Sequence, residues 1–334
     1  MRKKDLTSNS GTDVPAMIAA LSGPVRTTFL AAASRMLGGL VAYPAAWTRR
    51  YSQEVEDITD ARTAATRGLV KAALVEWKND PTTMQAAAEI FLPDAIRKVR
   101  NKSRIAAEAA EELARDPPES PSDPDNDWMN GFIRHSEDAS FERLQKLFGK
   151  VLAGEISKKG TFSLAALRVV SELSTDLAND FAEMQKRRIG DWILRQTEFS
   201  RGQPWERLVR LQDSGLLSSV PASTHQPESP LHLWAFADER AQLILKLKGR
   251  LGLEVPIVNL TRLGLELSKL LPPPDTGANL RALADWFPKT GVEVMFLSIA
   301  SGHEEVLHLS DEVALELAGS KMAPREVLAR ILTK

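Results

Sequence analysis

The sequence contains no cysteine. That excludes disulfides, thiolate metal centres, iron–sulfur clusters and cysteine nucleophiles, and it fits a reducing compartment. It also has almost no net charge: 43 Lys and Arg stand against 44 Asp and Glu, a balance of −1. Such a chain is no general coat for polyanions, so any anion site must come from local patterning. Long apolar runs are missing too. Between Val14 and Thr48 the charge-free stretches are 12, 8 and 13 residues, broken by Arg26 and Arg35, whereas a membrane-spanning helix needs about 20. The basic start Met1-Arg2-Lys3-Lys4 is followed by polar residues rather than an apolar core, so no signal peptide is expected and the chain reads as cytoplasmic. Neither G-x-G-x-x-G nor G-x-S-x-G occurs, and Gly149-Lys150 lacks the glycine five residues earlier that a phosphate loop requires.

What is present is mostly helical periodicity. The 334 residues, 43% of them hydrophobic, suffice for about two domains. Val25, Phe29, Ala32, Met36 and Leu40 fall on one helical stripe with Arg26 and Arg35 off it. This stripe suits packing inside the protein, against a second copy, or on a membrane surface, which would place the chain at the periphery of the inner membrane. Trp47 to about Lys78 reads as one long helix. Asn79-Asp80-Pro81 ends it and opens another, and Pro93 repeats the device before a helix over 94–113, because proline is accepted in a first turn but not in an interior. Four prolines and several acids between Asp116 and Asp127 read as a linker.

Beyond it, 127–190 is a helical unit, with Asp138 expected to cap a helix through Leu152, Ser163 to open the next, and Ser174, Thr175 or Asp176 to cap a third. From 191 the character changes. A helix over 204–215 leads to Gly215-Leu216-Leu217, strands are expected at 231–236, 242–247, 253–260 and 292–299, and Thr261 caps a helix. The order of helix, Gly-Leu-Leu, hairpin and Leu-Thr-x-x-Gly-x-Glu-Leu resembles winged-helix modules. The expected fold is therefore mainly α: a helical N-terminal module (1–116), a linker (117–126), a central helical unit (127–190) and an α+β winged-helix-like C-terminal module (191–334).

Several strings carry a family resemblance. They are Asp127-Trp128-Met129-Asn130-Gly131-Phe132, then Ser136-Glu137-Asp138-Ala139-Ser140, then Leu144 through Gly149 to Gly154-Glu155-Ile156, then Gly160-Thr161-Phe162-Ser163-Leu164. Together they resemble a bacterial family known only as a domain of unknown function, with the likeness reaching over about 94–300 and including the Leu260–Leu267 block. The central block is also similar to abortive-infection alpha proteins. The resemblance implies a bacterial protein with a role in phage defence and implies no catalytic residues.

No residue pattern specifies a reaction. His303-Glu304-Glu305-Val306-Leu307-His308 puts two histidines five apart, about 140° around a helix, where a metalloprotease needs four. His135, His225 and His232 are isolated, and Glu76-Trp77-Lys78 lies in a helical pattern rather than on a nuclease strand. No catalytic residue, metal ligand or cofactor is expected. The one electrostatic feature is Arg97, Lys98, Arg100, Lys102 and Arg104, five cations in eight residues with no acid among them. Such a stripe binds phosphates or pairs with the acids downstream. Arg207 and Arg210 would extend a nucleic-acid surface. The leading expectation is a non-enzymatic protein that self-associates through its helices, with Val25, Phe29, Met36 and Leu40 as the self-association or membrane face. The rivals are a nucleic-acid-binding regulator and a membrane-active effector using 14–48, and an unidentified protein partner belongs to each.

Overall fold

A computed structural model describes residues 18–37, several positions from 68 to 79, all of 80–194, then 202–218, 223–225, 233–248, 253–255, 257–317 and 322–332. The chain divides into two compact units, Met1–Glu172 and Leu173–Lys334.

The first unit is helical: α1 Gly23–Met36, α2 Pro81–Arg115, α3 Asn126–Ser136, α4 Glu142–Ser157 and α5 Leu164–Glu172. Asp80 caps α2, accepting the Thr83 N–H at 3.0 Å, and Pro81 follows where a missing N–H costs nothing. The break expected at Pro93 does not occur, and α2 runs through it for 35 residues. The proline forfeits its hydrogen bond to the Glu89 carbonyl and crowds that carbonyl, but Pro93 is exposed, where the freed oxygen can face solvent. Val25, Phe29 and Met36, on α1, are buried at 0–1% exposure. They join Ile105, Ala109 and Leu113 of α2, Phe132 of α3 and Phe148, Val151 and Leu152 of α4 in the buried set. Phe132 stacks on Trp128 (5.1 Å) and meets Phe148 edge-on (5.7 Å). The carboxy-terminal half of α2 lies close against α4. A Cβ on Gly149 would stand 2.5 Å from the Glu108 Cβ and 3.0 Å from the Ala109 backbone nitrogen.

Residues 117–125 hold no helix or strand, as their prolines require, yet they are tied into this unit. Ser122 N–H donates to the Ile156 carbonyl (2.7 Å), Arg35 donates to Pro124 O (3.0 Å) and pairs with Asp123, and Lys159 reaches Asp125. Asp138 does not cap α4. Phe141 occupies the N-cap without a side-chain bond, and Asp138 binds Arg97.

The second unit is α+β: α6 Thr175–Gln185, β1 Arg188–Ile189, β2 Trp192–Leu194, α7 Gly202–Asp213, β3 Ser223–His225, β4 Leu233–Ala237, β5 Ala241–Leu247, β6 Leu253–Val255, β7 Ile257–Asn259, α8 Arg262–Ser268, α9 Thr276–Trp286, β8 Val292–Ile299, β9 Glu304–Leu309, α10 Asp311–Leu317 and α11 Pro324–Leu332. The larger sheet runs β4-β5-β8-β9, antiparallel throughout. Its strand β8 is buried on both faces. Val292, Met295 and Leu297 pack with Leu280 and Leu283 of α9, while Val294 and Phe296 pack with Val327 of α11. That explains why Val292–Ile299 is nearly all apolar instead of alternating.

Between α7 and α8 lie the antiparallel β3/β6 pair with a Leu217–Leu260 bridge and the expected β4–β5 hairpin, whose β5 pairs on with β8 in the larger sheet. Thr261 caps α8 through the Gly264 N–H (3.0 Å), and its hydroxyl donates to the Gly215 carbonyl (2.6 Å). At Gly264 a Cβ would collide with the Leu216 carbonyl oxygen. The Thr and Gly of Leu-Thr-x-x-Gly are thus a joint between α8 and the end of α7. Strands β1, β2, β3 and β9 lie outside the segments that the sequence marks as strands.

Candidate functional site

The two halves of α2 have opposite surroundings. From Asn101 onward one face is core, with Ile105, Ala109 and Ala110 fully buried. Before Asn101 the helix projects large apolar side chains into solvent: Ile90 is 67% exposed, Phe91 70%, Leu92 57%, Ile96 49% and Val99 36%. At 100° per residue Met84, Ala88, Phe91, Leu92, Ala95, Ile96 and Val99 share a stripe about 140° wide. Ile90 points away from it. Ala95, Ile96, Val99 and Arg100 line a shallow depression of about 340 Å³. Leu74, Val75 and Trp77, upstream of Asp80, are exposed as well. A folded chain leaves scattered apolar side chains in water, but a contiguous patch marks an interaction surface.

The basic stripe overlaps this helix, and the structure divides its five members. Arg97 pairs with Asp138 at 2.8 Å and with Asp94, and Lys98 pairs with Glu137 at 2.8 Å and Asp94 at 3.4 Å. Hydrogen bonding to Asp138, then to Asp94, raises the Arg97 pKa, and Glu137 does the same for Lys98, while Arg97 holds the Asp94 carboxyl below its ordinary range. Asn101, buried, donates to the Glu137 carbonyl (3.0 Å). These contacts fasten α2 to the α3–α4 junction. Arg100, Lys102 and Arg104 make no ion pair among the described residues, although, after the hydrogen bond from Lys146, the charge of Arg104 helps to lower the Glu142 pKa.

On α7, Arg207 and Arg210 both close on Asp180 of α6, whose side chain is 8% exposed. Arg210 donates at 2.6 and 3.0 Å, and Arg207 lies at 3.3 Å. Their first task is to neutralise a buried carboxylate. Val25, Phe29 and Met36 form core, so the face they make is occupied within the unit. Leu40 lies outside the described residues. His303 stands 3.6 Å from Glu305, and His308 sits in β9 opposite Met295. Among the described residues no group of three or more His, Asp or Glu is placed to hold a metal.

Several residues that carried the family resemblance take structural roles. Glu155, 1% exposed, accepts the N–H groups of Gly160 (2.6 Å) and Phe162 (3.1 Å). Trp128 donates its indole N–H to the Phe162 carbonyl (2.7 Å). A Cβ on Gly154 would lie 2.7 Å from the Phe162 ring, and one on Gly131 2.6 Å from Leu164. The motif specifies how α3, α4 and the 158–163 turn lock together. In the sequence Pro93 separates the members of the exposed stripe, and only the unbroken helix brings them onto one face.

Residues 88–190 match the family model DUF2806, described as a protein of unknown function. The match covers the central block and the exposed stripe from Ala88 to Val99, and it stops short of the Leu260–Leu267 block. No curated protein and no solved structure matches the chain. Among the described residues no helix is long and apolar enough to cross a membrane.

Proposed function

We propose that this chain is a non-enzymatic interaction protein that assembles with copies of itself through the amino-terminal half of α2. One observation supports this most: Phe91, Leu92 and Ile96 stand exposed on a helix whose other half packs its apolar face into the core. The residues a self-association face was expected to use, Val25, Phe29 and Met36, are spent internally. Surface of this kind is retained against its solubility cost where another surface covers it. Sedimentation velocity over a dilution series tests the reading. Association that weakens on dilution supports it, and a single monomeric species throughout the micromolar range contradicts it.

The resemblance of the central block to abortive-infection alpha proteins supports placing this assembly in phage defence. Challenge of expressing cells with phage, comparing wild type with Phe91→Asp, tests that placement. Protection lost in the variant supports it, and no protection by wild type argues against it.

A nucleic-acid reading rests on the cations without an ion pair, Arg100, Lys102 and Arg104, which lie beside the apolar stripe. It predicts DNA or RNA binding that falls steeply with salt and is lost on replacing the three by alanine.

A further inference from the structure

We infer that two copies of α2 pair antiparallel about a two-fold axis near residues 94 and 95, with Glu89 of each copy meeting Arg100 of the other. This rests on the self-association proposed above and names its geometry. Glu89 and Arg100 are eleven residues apart, three helical turns, and therefore lie within about 20° of one another on the same edge of the apolar stripe. Both are exposed, and neither makes an ion pair among the described residues. The opposite edge carries Asp94 and Lys98, already joined to each other at 3.4 Å and to Arg97 and Glu137. One edge is thus ion-paired within the chain, whereas the other carries an acid at one end, Glu89, which accepts only the Gln85 side-chain amide N–H (3.0 Å), and a base at the other.

The symmetry decides which partner such an edge fits. When two helices pack antiparallel about a perpendicular two-fold axis, each edge of a stripe meets the same edge of the other copy, whereas in a parallel pair it meets the opposite edge. An edge written acid-then-base is complementary to itself only when reversed. Centring the reversal between Asp94 and Ala95 sets Glu89 against Arg100 twice. The same register stacks Ala95 near the axis, where its small side chain permits close approach, and places Phe91, Leu92, Ile96 and Val99 around it. Opposed charges flanking an apolar seam fix the orientation of paired helices.

The absence of cysteine from the chain makes the test direct. In the full-length protein, Ala95→Cys crosslinks to its own counterpart under mild oxidation. Ala88→Cys does not, because thirteen residues of reversed helix separate it from its counterpart by about 20 Å, far beyond disulfide reach. In a parallel pair both positions crosslink. Independently, Glu89→Arg and Arg100→Glu each weaken the dimer by about tenfold, and the double exchange restores affinity to near the wild-type value. Crosslinking at Ala88, or charge reversals that leave the affinity unchanged, overturns the register while leaving self-association standing. A wild-type chain that is monomeric, with the stripe covered by another part of the same chain, overturns both.

Discussion

Glu155 holds the N–H of Gly160 at 2.6 Å with a carboxylate that is 1% exposed. The same carboxylate takes the Phe162 N–H at 3.1 Å, so one buried side chain closes the turn that leads from α4 into α5. Replacement by alanine removes the acceptor and leaves two inward N–H groups without a partner. A cost of about 2–4 kcal/mol is expected, from the desolvation of two orphaned donors. Urea denaturation of the full chain, followed by circular dichroism, reads it. An unchanged midpoint would mean that water replaces the carboxylate and that the turn is not held this way.

Gly149 makes a second specific claim about the first unit. Its missing Cβ is what lets α4 approach the backbone of α2 at Ala109, and backbone cannot step aside as a flexible side-chain end can. Gly149→Val forces the two helices apart and is expected to cost about 1–3 kcal/mol. The same denaturation experiment checks it. A variant as stable as wild type contradicts the close approach.

Glu108 gives a pH signature. Burial raises its pKa above the ordinary 4.5, opposed by Lys146 and reinforced by Glu111, Glu142 and Glu112. A carboxyl whose folded pKa is raised carries a penalty once ionised. That penalty is complete above the folded pKa and absent below the unfolded one. Glu108→Gln is therefore expected to raise the melting temperature at neutral pH, with the gain shrinking as pH falls through the glutamate range. A gain that does not change with pH, or a loss at neutral pH, rules this out.

Much of the scaffold was readable from the sequence, for physical reasons. Asp80-Pro81, Thr261 and the run Ser174-Thr175-Asp176, of which Ser174 is the cap, announced helix starts because capping needs such side chains at those places. The strand at 292–299 was plain because an apolar run of that length suits a strand covered on both faces. Other features were not legible. Pro93 reads locally as a stop, yet the chain stays helical through it, in a 35-residue helix whose far half is fixed by packing against the core. Asp138 looks like a cap and instead answers Arg97, a partner 41 residues away that no local pattern reveals. The Val25, Phe29 and Met36 stripe was visible as an amphipathic face, but periodicity does not say what covers a face. The candidate site suffered most from this. Pro93 splits its members in the sequence, and only the three-dimensional arrangement shows that, among the described residues, they are left uncovered while the neighbouring turns are buried.

The central claim is that the exposed half of α2 is where copies of this chain meet. The most direct measurement is the mass of the full-length protein in solution, by size-exclusion chromatography with light scattering, for wild type and for Phe91→Asp/Ile96→Asp. Both substitutions fall on exposed positions, so the variant is expected to keep the wild-type circular dichroism spectrum. Wild type at twice the 36.8 kDa chain mass and the variant at one chain mass is the result expected. A wild type at one chain mass, or a variant that assembles as wild type does, contradicts it.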